Sequence, residues 1–405
     1  METGTESETD VAVVGGGIIG AAIALRVSAA HRGRRITVLD QGDTAPGSGS
    51  ATRRSLGVLA PWASTPGQRR LLERGAVWTE DPAVRALLRP HLRRVPVLVV
   101  ARAATLDTMA RHTIGTRMDP ASGELTGAAR AAWGEPLLGR GDGLATVRGG
   151  ITVMDTAGAA AALLDAVAGA HGRVRLGARV TRIESRSGSQ RLLLADGGLV
   201  STSRTVLATG AWPGPEVASQ GPERPPWRTK RMAALRIDRD LPPGAPLLCF
   251  PDDDLFLLPA PDGTGAPGGG WASFRCEEWD VPPGTGGDGG GPRTEGQAGP
   301  RTGDRAGPRT GDQAGPWTGD QAGPWTGATW SPRTLAAGRA VLAGRLPGLA
   351  PAAVPGPAAV DGYTPDRTPL TDRPAPGVVR AAAASGGGAR FSWGIADRVL
   401  ELLAL

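Results

Sequence analysis

Residues 10–40 read DVAVVGGGIIGAAIALRVSAAHRGRRITVLD. The apolar start predicts a short strand, and the glycine-rich segment 15–20 follows it directly. An alanine-rich segment then predicts a helix over 21–30, and a second apolar segment predicts a strand over 35–39 that ends at Asp40. A strand, a glycine turn, a helix, a strand and an acid within about thirty residues are typical of a unit that binds a dinucleotide.

The glycines of the turn have separate roles in such a unit. Gly15 allows the tight turn, Gly17 lets a pyrophosphate approach the backbone, and Gly20 lets the helix pack close to the strand. The helix N-terminus offers N–H groups and a positive dipole end to the phosphates, and Asp40 can accept from ribose hydroxyls. A glycine turn without a ligand is the alternative. The full context favours an ADP-containing cofactor, bound by Gly15, Gly16, Gly17, Ile18, Ile19, Gly20, Asp40 and Gln41.

Bulk composition indicates a globular protein that does not bind nucleic acid. At 405 residues the chain is long enough for more than one domain. The net charge of +6 comes from arginines scattered among Ala, Gly and Pro, with Lys230 as the single lysine, so no basic patch is predicted. Aromatic residues make up 4 %, which is too few for a base-stacking surface.

Cysteine content and the N-terminus bear on the cellular location. Cys249 and Cys276 form no CxxC pair and have no histidine at metal-ligand spacing, so neither a zinc site nor a disulfide framework is predicted. The polar start of the chain leads directly into the first strand, without a signal peptide or an apolar run of about 18 residues. We expect a soluble cytoplasmic protein that crosses no membrane.

The middle of the chain alternates predicted helices and strands. Residues 41–60 begin with small residues that can lie against a flavin or a phosphate, or form a mobile surface loop. An α/β insertion follows, with helices over 68–79, 105–112 and 123–133 and a strand over 95–101. The chain then returns to the first sheet, with a helix over 156–171 and strands over 173–176, 180–186, 191–195, 199–203 and 205–212.

The last third predicts a second sheet and a closing helix. Residues 225–274 predict a mostly antiparallel sheet that would carry substrate contacts, with strands over 231–237, 246–250, 255–258 and 270–275 and a hairpin turn at 262–263. A helix over 335–343 and a strand over 378–384 follow. A second glycine-rich segment, 385–388, then leads into a helix over 392–403, whose N-terminus can stabilise negative charge on a flavin edge.

Residues 283–327 differ from everything around them. An eight-residue unit repeats, as in Pro300-Arg-Thr-Gly-Asp-Arg-Ala-Gly307, and almost no Leu, Ile or Val accompanies it. Such a segment cannot bury enough apolar surface to offset the entropy of ordering. We expect a disordered insertion, with a solenoid or a partner-binding segment as the alternative.

The order of these motifs resembles the family of FAD-dependent amine and amino-acid oxidoreductases, the D-amino-acid-oxidase-like group with glycine oxidase and sarcosine oxidase. Besides the glycine turn and Asp40, the similar pieces are 47–50, 150–155, 208–212, 364–366 and 385–391. The resemblance implies an α/β (α+β two-domain) fold. A Rossmann-type FAD-binding domain would comprise 1–62, 146–218 and 361–405, and a mixed antiparallel-sheet substrate domain would comprise 63–145 and 219–360.

The resemblance also implies a chemistry and a set of site residues. Hydride would pass from the carbon of a C–N bond in an amine or amino acid to flavin N5. Arg390 lies where sarcosine-oxidase-like members hold the substrate carboxylate with a basic residue, and a solvated arginine at a helix start is the alternative. Arg53 matches a loop arginine loosely. The cofactor residues implied beyond the glycine turn are Gly49, Ser50, Arg53, Val180, Thr209, Gly210, Gly387, Gly388, Ala389 and Arg390.

Two departures from the family pattern affect the expected chemistry. The position where covalent-flavin members have cysteine is apolar, near Ala359, so we expect non-covalent FAD. Lys230 is the only candidate for the lysine that assists oxygen reduction, but its position does not match, so the acceptor is either O2 or unknown. The alternatives are an FAD-dependent dehydrogenase of a hydroxy acid or biosynthetic intermediate, a flavin-binding protein with a degraded site and, as the weakest, an NAD-only dehydrogenase.

Overall fold

The computed structural model describes residues 6–42, 50–186, 188–218, 226–260, 269–283 and 330–404. The strands of these ranges pair into three sheets. The predicted hairpin turn at 262–263 and the repeats of 292–327 lie outside the described residues, as does Gly49.

The first sheet contains the unit predicted from residues 10–40. Its strands are β1 (Glu6–Val14), β2 (Ile36–Leu39), β9 (Arg173–Arg175), β10 (Val180–Arg186), β11 (Ser189–Leu194), β12 (Leu199–Gly210), β13 (Glu216–Val217), β19 (Leu370–Ala375) and β20 (Val378–Ala382). The order is β13-β10-β11-β12-β1-β2-β9, with β20 beside β12 and β19 beside β20. Because β1 pairs in parallel with both β2 and β12, the carboxyl ends of three strands meet at the glycine turn.

Strand β12 is one continuous strand and not the two that the sequence predicts. β1 pairs with it from Leu199 to Leu207. On its other edge β12 pairs first with β11, antiparallel, and then with β20, in parallel. Pairing with β1 along this length keeps the backbone extended through Arg204, where local sequence predicts a break.

The second sheet is mixed and mostly antiparallel, as predicted. Its strands are β5 (Val97–Arg102), β6 (Met118–Pro120), β7 (Asp142–Val147), β14 (Arg228–Asp238), β15 (Leu247–Phe250), β16 (Leu255–Pro259), β17 (Gly269–Ser273) and β18 (Val354–Tyr363). The order is β18-β14-β17-β16-β15-β5-β7-β6, and only the β5–β15 pair is parallel among these described strands. The predicted α/β architecture with a second sheet is therefore confirmed.

Prolines explain two differences from the predicted strands. The predicted strand over 95–101 is divided at Pro96, which has no N–H to donate. Its first residue, Val95, ends β4 (Leu92–Val95), which belongs to the third sheet together with β3 (Val58–Leu59) and β8 (Ile151–Met154). The strand order of that sheet is β3-β8-β4. β18 is unpredicted because Pro355 and Pro357 read as turn signals, but it is an edge strand of the second sheet, where proline is tolerated.

Five of the described helices contribute to the core on one face of the first sheet. The helices of the described ranges are α1 (Ile18–Ala30), α2 (Ala51–Arg54), α3 (Pro66–Glu80), α4 (Pro82–Leu88), α5 (Ala103–His112), α6 (Gly123–Trp133), α7 (Thr156–Gly169), α8 (Pro332–Arg345) and α9 (Gly388–Leu403). α1, α3, α4, α7 and α9 share one apolar core with β1, β2 and β12. Among the described helices, none combines the length and the hydropathy that a transmembrane segment requires.

Two segments lie across the expected domain boundaries. α3 and α4 pack into the core of the first sheet through Leu71, Val84 and Leu88, although residues 63–145 are expected in the substrate domain. The expected boundary at residue 361 falls inside β18, so the end of that strand belongs to the second sheet. Segments expected in one domain therefore pack or pair with the sheet of the other.

The contact between α3 and α9 depends on a glycine. A Cβ atom at Gly394 would overlap the carbonyl oxygen of Leu71, and Gly75 of α3 lies against the backbone of α9. Close-packed interiors cannot absorb an added methyl group without a shift of the backbone.

We expect Gly394→Ala to lower the free energy of unfolding by about 1–3 kcal/mol, because the added Cβ forces α3 and α9 apart. Gly127→Ala is the matched control in α6, where a Cβ would meet no heavy atom within 4 Å. That control should be neutral or stabilising by about 0.5–1 kcal/mol. Urea unfolding of the three proteins measures both effects, and equal stability of the two variants would contradict the packing argument.

Candidate functional site

A cavity of about 600 Å³ lies between the first and second sheets. The carboxyl ends of β1, β2 and β12 and the N-termini of α1 and α9 bound one side, and strands β14–β18 bound the other. Ligands of open α/β sheets bind at this position. The predicted site residues that line the cavity are Gly15, Gly17, Ile18, Ile19, Asp40, Gln41, Ser50, Val180, Thr209, Gly210, Gly387, Gly388, Ala389 and Arg390.

The glycine turn has little room for side chains. Gly15 has a φ of +107°, in the region that favours glycine, and its N–H donates to the Leu39 carbonyl at 2.8 Å. A Cβ at Gly15 would overlap the carbonyl of Ala208 at the end of β12, and one at Gly20 would overlap the carbonyl of Gly15. Gly20 faces this turn and does not itself line the cavity.

The first turn of α1 faces the cavity. Gly17 is the N-cap residue and has no side chain to cap the N–H groups of that turn. Thr52 of α2 lies directly over it, and its Oγ1 accepts from the Ile18 N–H at 3.1 Å. Sequence reasoning did not identify Thr52, because the 34 positions between it and Ile18 hide the contact.

Asp40 is held by backbone groups on two sides. Its Oδ2 accepts from the Gly16 N–H at 2.6 Å and its Oδ1 accepts from the Gly42 N–H at 2.7 Å. The side chain is buried, and it lines the cavity beside Gln41. This carboxylate is therefore fixed in orientation next to the glycine turn, while Gly16 contributes its N–H to Asp40 and does not line the cavity.

The loop before α2 contributes a buried hydroxyl. Ser50 is the N-cap of α2, and its Oγ is buried without a hydrogen-bond partner among the described residues. Arg54 lines the cavity, whereas Arg53, predicted to do so, does not. The loose sequence match of Arg53 gave no means of choosing between two adjacent arginines.

A strained loop closes the cavity in front of α9. Ala383 and Ser385 both have a φ of +53°, which non-glycine residues rarely adopt, and Gly386 follows with +78°. A Cβ at Gly387 would clash with the ring of Phe391, so the loop packs tightly on α9. Loop residues 383–388 all line the cavity.

Asp361 holds this loop to the end of β18. Its Oδ2 accepts from the Gly386 N–H at 2.6 Å and its Oδ1 accepts from the Gly362 N–H at 2.8 Å. The Ser385 N–H also donates to the Gly362 carbonyl, at 2.9 Å. Burial raises the pKa of Asp361. Asp361 lines the cavity, and sequence reasoning missed it because the contact with Gly386 spans 25 positions.

Arg390 brings a half-buried positive charge to the cavity. One guanidinium nitrogen, Nη1, donates to the Trp62 carbonyl at 3.0 Å, and the guanidinium carbon lies 4.3 Å from the centre of the Phe391 ring. Its Nε is buried without a partner, and none of the described carboxylates lies within 4 Å. Burial lowers the pKa of Arg390 to about 10, so the side chain stays charged at neutral pH.

The structure does not bring Lys230 into the cavity lining. Its side chain is buried, with Nζ 4.9 Å from the ring centre of Trp279 and 5.5 Å from that of Tyr363. Burial lowers the pKa of Lys230. Within the described residues, no group of three or more His, Cys, Asp or Glu side chains is placed to hold a metal ion.

The residues around the glycine turn fit an ADP-containing cofactor such as FAD. The α1 N-terminus, the unpartnered Ser50 hydroxyl and the approach permitted by Gly17 suit phosphate groups. The carboxylate of Asp40 lies where ribose hydroxyls are expected. The second glycine-rich loop, 385–388, lines the same cavity.

Solved structures resemble this fold over nearly the whole chain. L-Proline dehydrogenase from P. horikoshii is 16 % identical, with a TM-score of 0.70 and coverage of 98 % of this chain and 94 % of that one. Glycine oxidase from Geobacillus kaustophilus is 18 % identical, with a TM-score of 0.66 and coverage of 98 % and 95 %. FAD-bound L-alpha-glycerophosphate oxidase from Mycoplasma pneumoniae is 12 % identical, with a TM-score of 0.69 and coverage of 98 % and 95 %.

No curated protein matches the chain in sequence. The family model for FAD dependent oxidoreductases, DAO, matches residues 10–402. That match covers the glycine turn, the second sheet and the closing helix, and it confirms the family predicted from the sequence. The chain therefore belongs to the DAO family of FAD-dependent oxidoreductases, and it is an enzyme whose cofactor is FAD.

Proposed function

We propose that this enzyme oxidises a C–N bond in an amino acid or amine that carries a carboxylate. The observation that carries the proposal is Arg390, a half-buried cation with a buried Nε that lines the FAD cavity and has no carboxylate partner among the described residues. Burying a charge without a partner is costly, and a substrate carboxylate would supply the partner. Neighbours in fold include L-proline dehydrogenase and glycine oxidase, both named for amino-acid substrates.

The cofactor and the protein divide the chemistry. When bound, FAD would supply the hydride acceptor, flavin N5, for the carbon that bears the nitrogen, so that the C–N bond would become an imine that water hydrolyses. The chain's own contribution is to hold the carboxylate at Arg390 and so fix which carbon faces the flavin. The Trp62 carbonyl orients the guanidinium for this purpose through its bond to Nη1.

We propose that FAD is held without a covalent bond. Ala359, near the position where covalent members carry cysteine, lines the cavity with a methyl group. Of the two cysteines, Cys276 does not line the described cavity, and Cys249 lies on β15 in the second sheet. Burial raises the pKa of the Cys249 thiol to about 12, which disfavours the nucleophilic thiolate.

A second candidate substrate is a hydroxy compound. The fold neighbour L-alpha-glycerophosphate oxidase is named for a substrate with a C–O bond in place of C–N. Arg390 would bind the anionic group of a hydroxy acid equally well, so the charge alone does not distinguish the two. The two candidates differ in the atom, nitrogen or oxygen, on the carbon that is oxidised. Comparing flavin reduction by amino acids and by hydroxy acids distinguishes them.

The purified protein should show flavin absorption near 375 and 450 nm, roughly as for any flavoprotein. Anaerobic addition of amino acids should bleach the band at about 450 nm, because the substrate delivers two electrons to the flavin. The matching 2-hydroxy acids are the control. Heat denaturation should release the flavin, because no covalent bond is proposed. Bleaching by hydroxy acids alone would replace the proposed C–N substrate, and no bleaching by either would favour a flavin-binding protein with a degraded site.

Replacing Arg390 with leucine should raise the apparent KM for the substrate by about 10–100-fold, because a charge-assisted bond to the carboxylate is lost. The content of bound FAD should stay near that of the wild type. Arg390→Lys is the control that keeps the charge without the planar fork, and it should restore part of the loss. Steady-state kinetics and the flavin-to-protein absorbance ratio measure these effects. An unchanged KM in Arg390→Leu would remove this residue from the substrate site.

Asp361→Asn should weaken FAD binding by about 10-fold or more, because an amide oxygen and an NH2 group cannot accept from both N–H groups that the carboxylate holds. The loop at 383–388 then loses one of its hydrogen bonds to the end of β18. Asp366→Asn is the matched control, since Asp366 lies in the same segment but is exposed and bonds only its own turn through Thr368. Titration of the apoprotein with FAD by fluorescence measures both, and equal affinities would contradict the role of Asp361.

A further inference from the structure

The part of the cavity wall that β14, β15, β16 and β17 form is apolar. Four adjacent strands contribute it, and Ser273 carries its only side-chain hydroxyl among the described lining residues of these strands. The lining residues are Met232, Ala233 and Ala234 on β14, Leu247 and Cys249 on β15, Phe256 on β16 and Ser273 on β17. A ligand group against this wall finds almost no hydrogen-bonding partner.

Leu247, Cys249 and Phe256 of these strands belong to a packed apolar cluster that also includes residues from outside the second sheet. Ile151, Leu247 and Cys249 are core members of the cluster, and Trp62 and Phe256 pack against it. We call these five residues the apolar wall. Arg390 donates to the backbone carbonyl of Trp62, and the apolar wall lines the same cavity as the guanidinium. A molecule with its carboxylate at Arg390 therefore shares the cavity with these apolar side chains.

The charged residues of the cavity lie elsewhere. Asp40 is bound to the glycine turn, and Asp361 is bound to the loop at 383–388. Arg179 adjoins Val180 on the first-sheet side, and Arg54 lies on α2. None of the charged residues that line the cavity in the described ranges lies on β14, β15, β16 or β17. The Cys249 thiol stays neutral, because burial raises its pKa to about 12.

We infer that the substrate is an amino acid with an apolar side chain, bound with its carboxylate at Arg390 and its side chain against the apolar wall. The inference rests on the proposed function and deepens it. A charged or amide side chain would lose its hydrogen bonds to water and find no hydrogen-bond partner on the apolar wall, which is strongly unfavourable. Each methylene group buried there is favourable. Cys249 and Phe256, at the centre of the wall, are the specificity-determining residues.

The first test compares kcat/KM for alanine, leucine, phenylalanine, aspartate and lysine with the holoenzyme and an artificial electron acceptor. Both enantiomers of each are used. Leucine or phenylalanine should exceed alanine by about 10-fold or more, and aspartate and lysine should fall about 100-fold or more below leucine. A charged amino acid within 10-fold of leucine would overturn this inference while leaving the proposed C–N oxidation in place.

Two variants test the wall itself. Cys249→Phe fills the space and should lower kcat/KM for leucine more than 10-fold while that for alanine changes little. Phe256→Ala enlarges the space and should raise the ratio of phenylalanine to leucine. Cys276→Ser is the matched control, because Cys276 is the other buried cysteine but belongs to a separate core cluster.

The outcomes separate the two proposals. Unchanged substrate ratios in both wall variants, with FAD still bound, would overturn the role of the wall. If none of the amino acids reduces the flavin, the proposed function and this inference are both overturned. Phe256→Ala keeps the test decisive if Cys249→Phe fails to fold, because Phe256 is only partly buried.

Discussion

The close approach of α1 to the end of β12 is the constraint on which the site depends. Gly20 brings the helix onto the glycine turn, and Gly15 brings that turn onto the carbonyl of Ala208. A side chain at either position would push the helix away from the carboxyl ends of β1 and β12. The helix N-terminus would then no longer face the cavity, and the Gly16 N–H would no longer reach Asp40. Phosphate binding and sheet packing thus depend on the same two glycines.

The second constraint joins the two sheets across the cavity. β18 is an edge strand of the second sheet, yet its last residues bond the loop that precedes α9. The carboxylate of Asp361 holds that loop in a conformation that costs about 1–3 kcal/mol for each left-handed non-glycine residue. Because α9 packs on α1 and α3, the position of the loop is tied back to the core of the first sheet. The cavity wall is therefore held from both sides.

The sequence predicts well what depends on neighbouring residues and less well what depends on distant ones. The glycine turn, α1 and the second sheet follow from local patterns, and the structure has them. The continuity of β12 and the existence of β18 depend on pairing partners far along the chain, so local turn signals mislead. The same holds in the site. Gly15 and Asp40 are found by spacing, whereas Thr52 and Asp361 act through contacts that no local pattern marks.

Electrostatics link the site to its substrate. A guanidinium with a buried Nε and no carboxylate partner is unfavourable, and the fold compensates in part with the Trp62 carbonyl at Nη1 and the ring of Phe391 beside the guanidinium. These contacts leave Nε without a hydrogen-bond acceptor among the described residues. The apolar wall lines the same cavity. A ligand gains most when it meets both conditions at once. Under the proposed function, this arrangement favours molecules with one anionic end and one apolar end, and Lys230, which lies near the rings of Trp279 and Tyr363 and not in the cavity lining, does not change it.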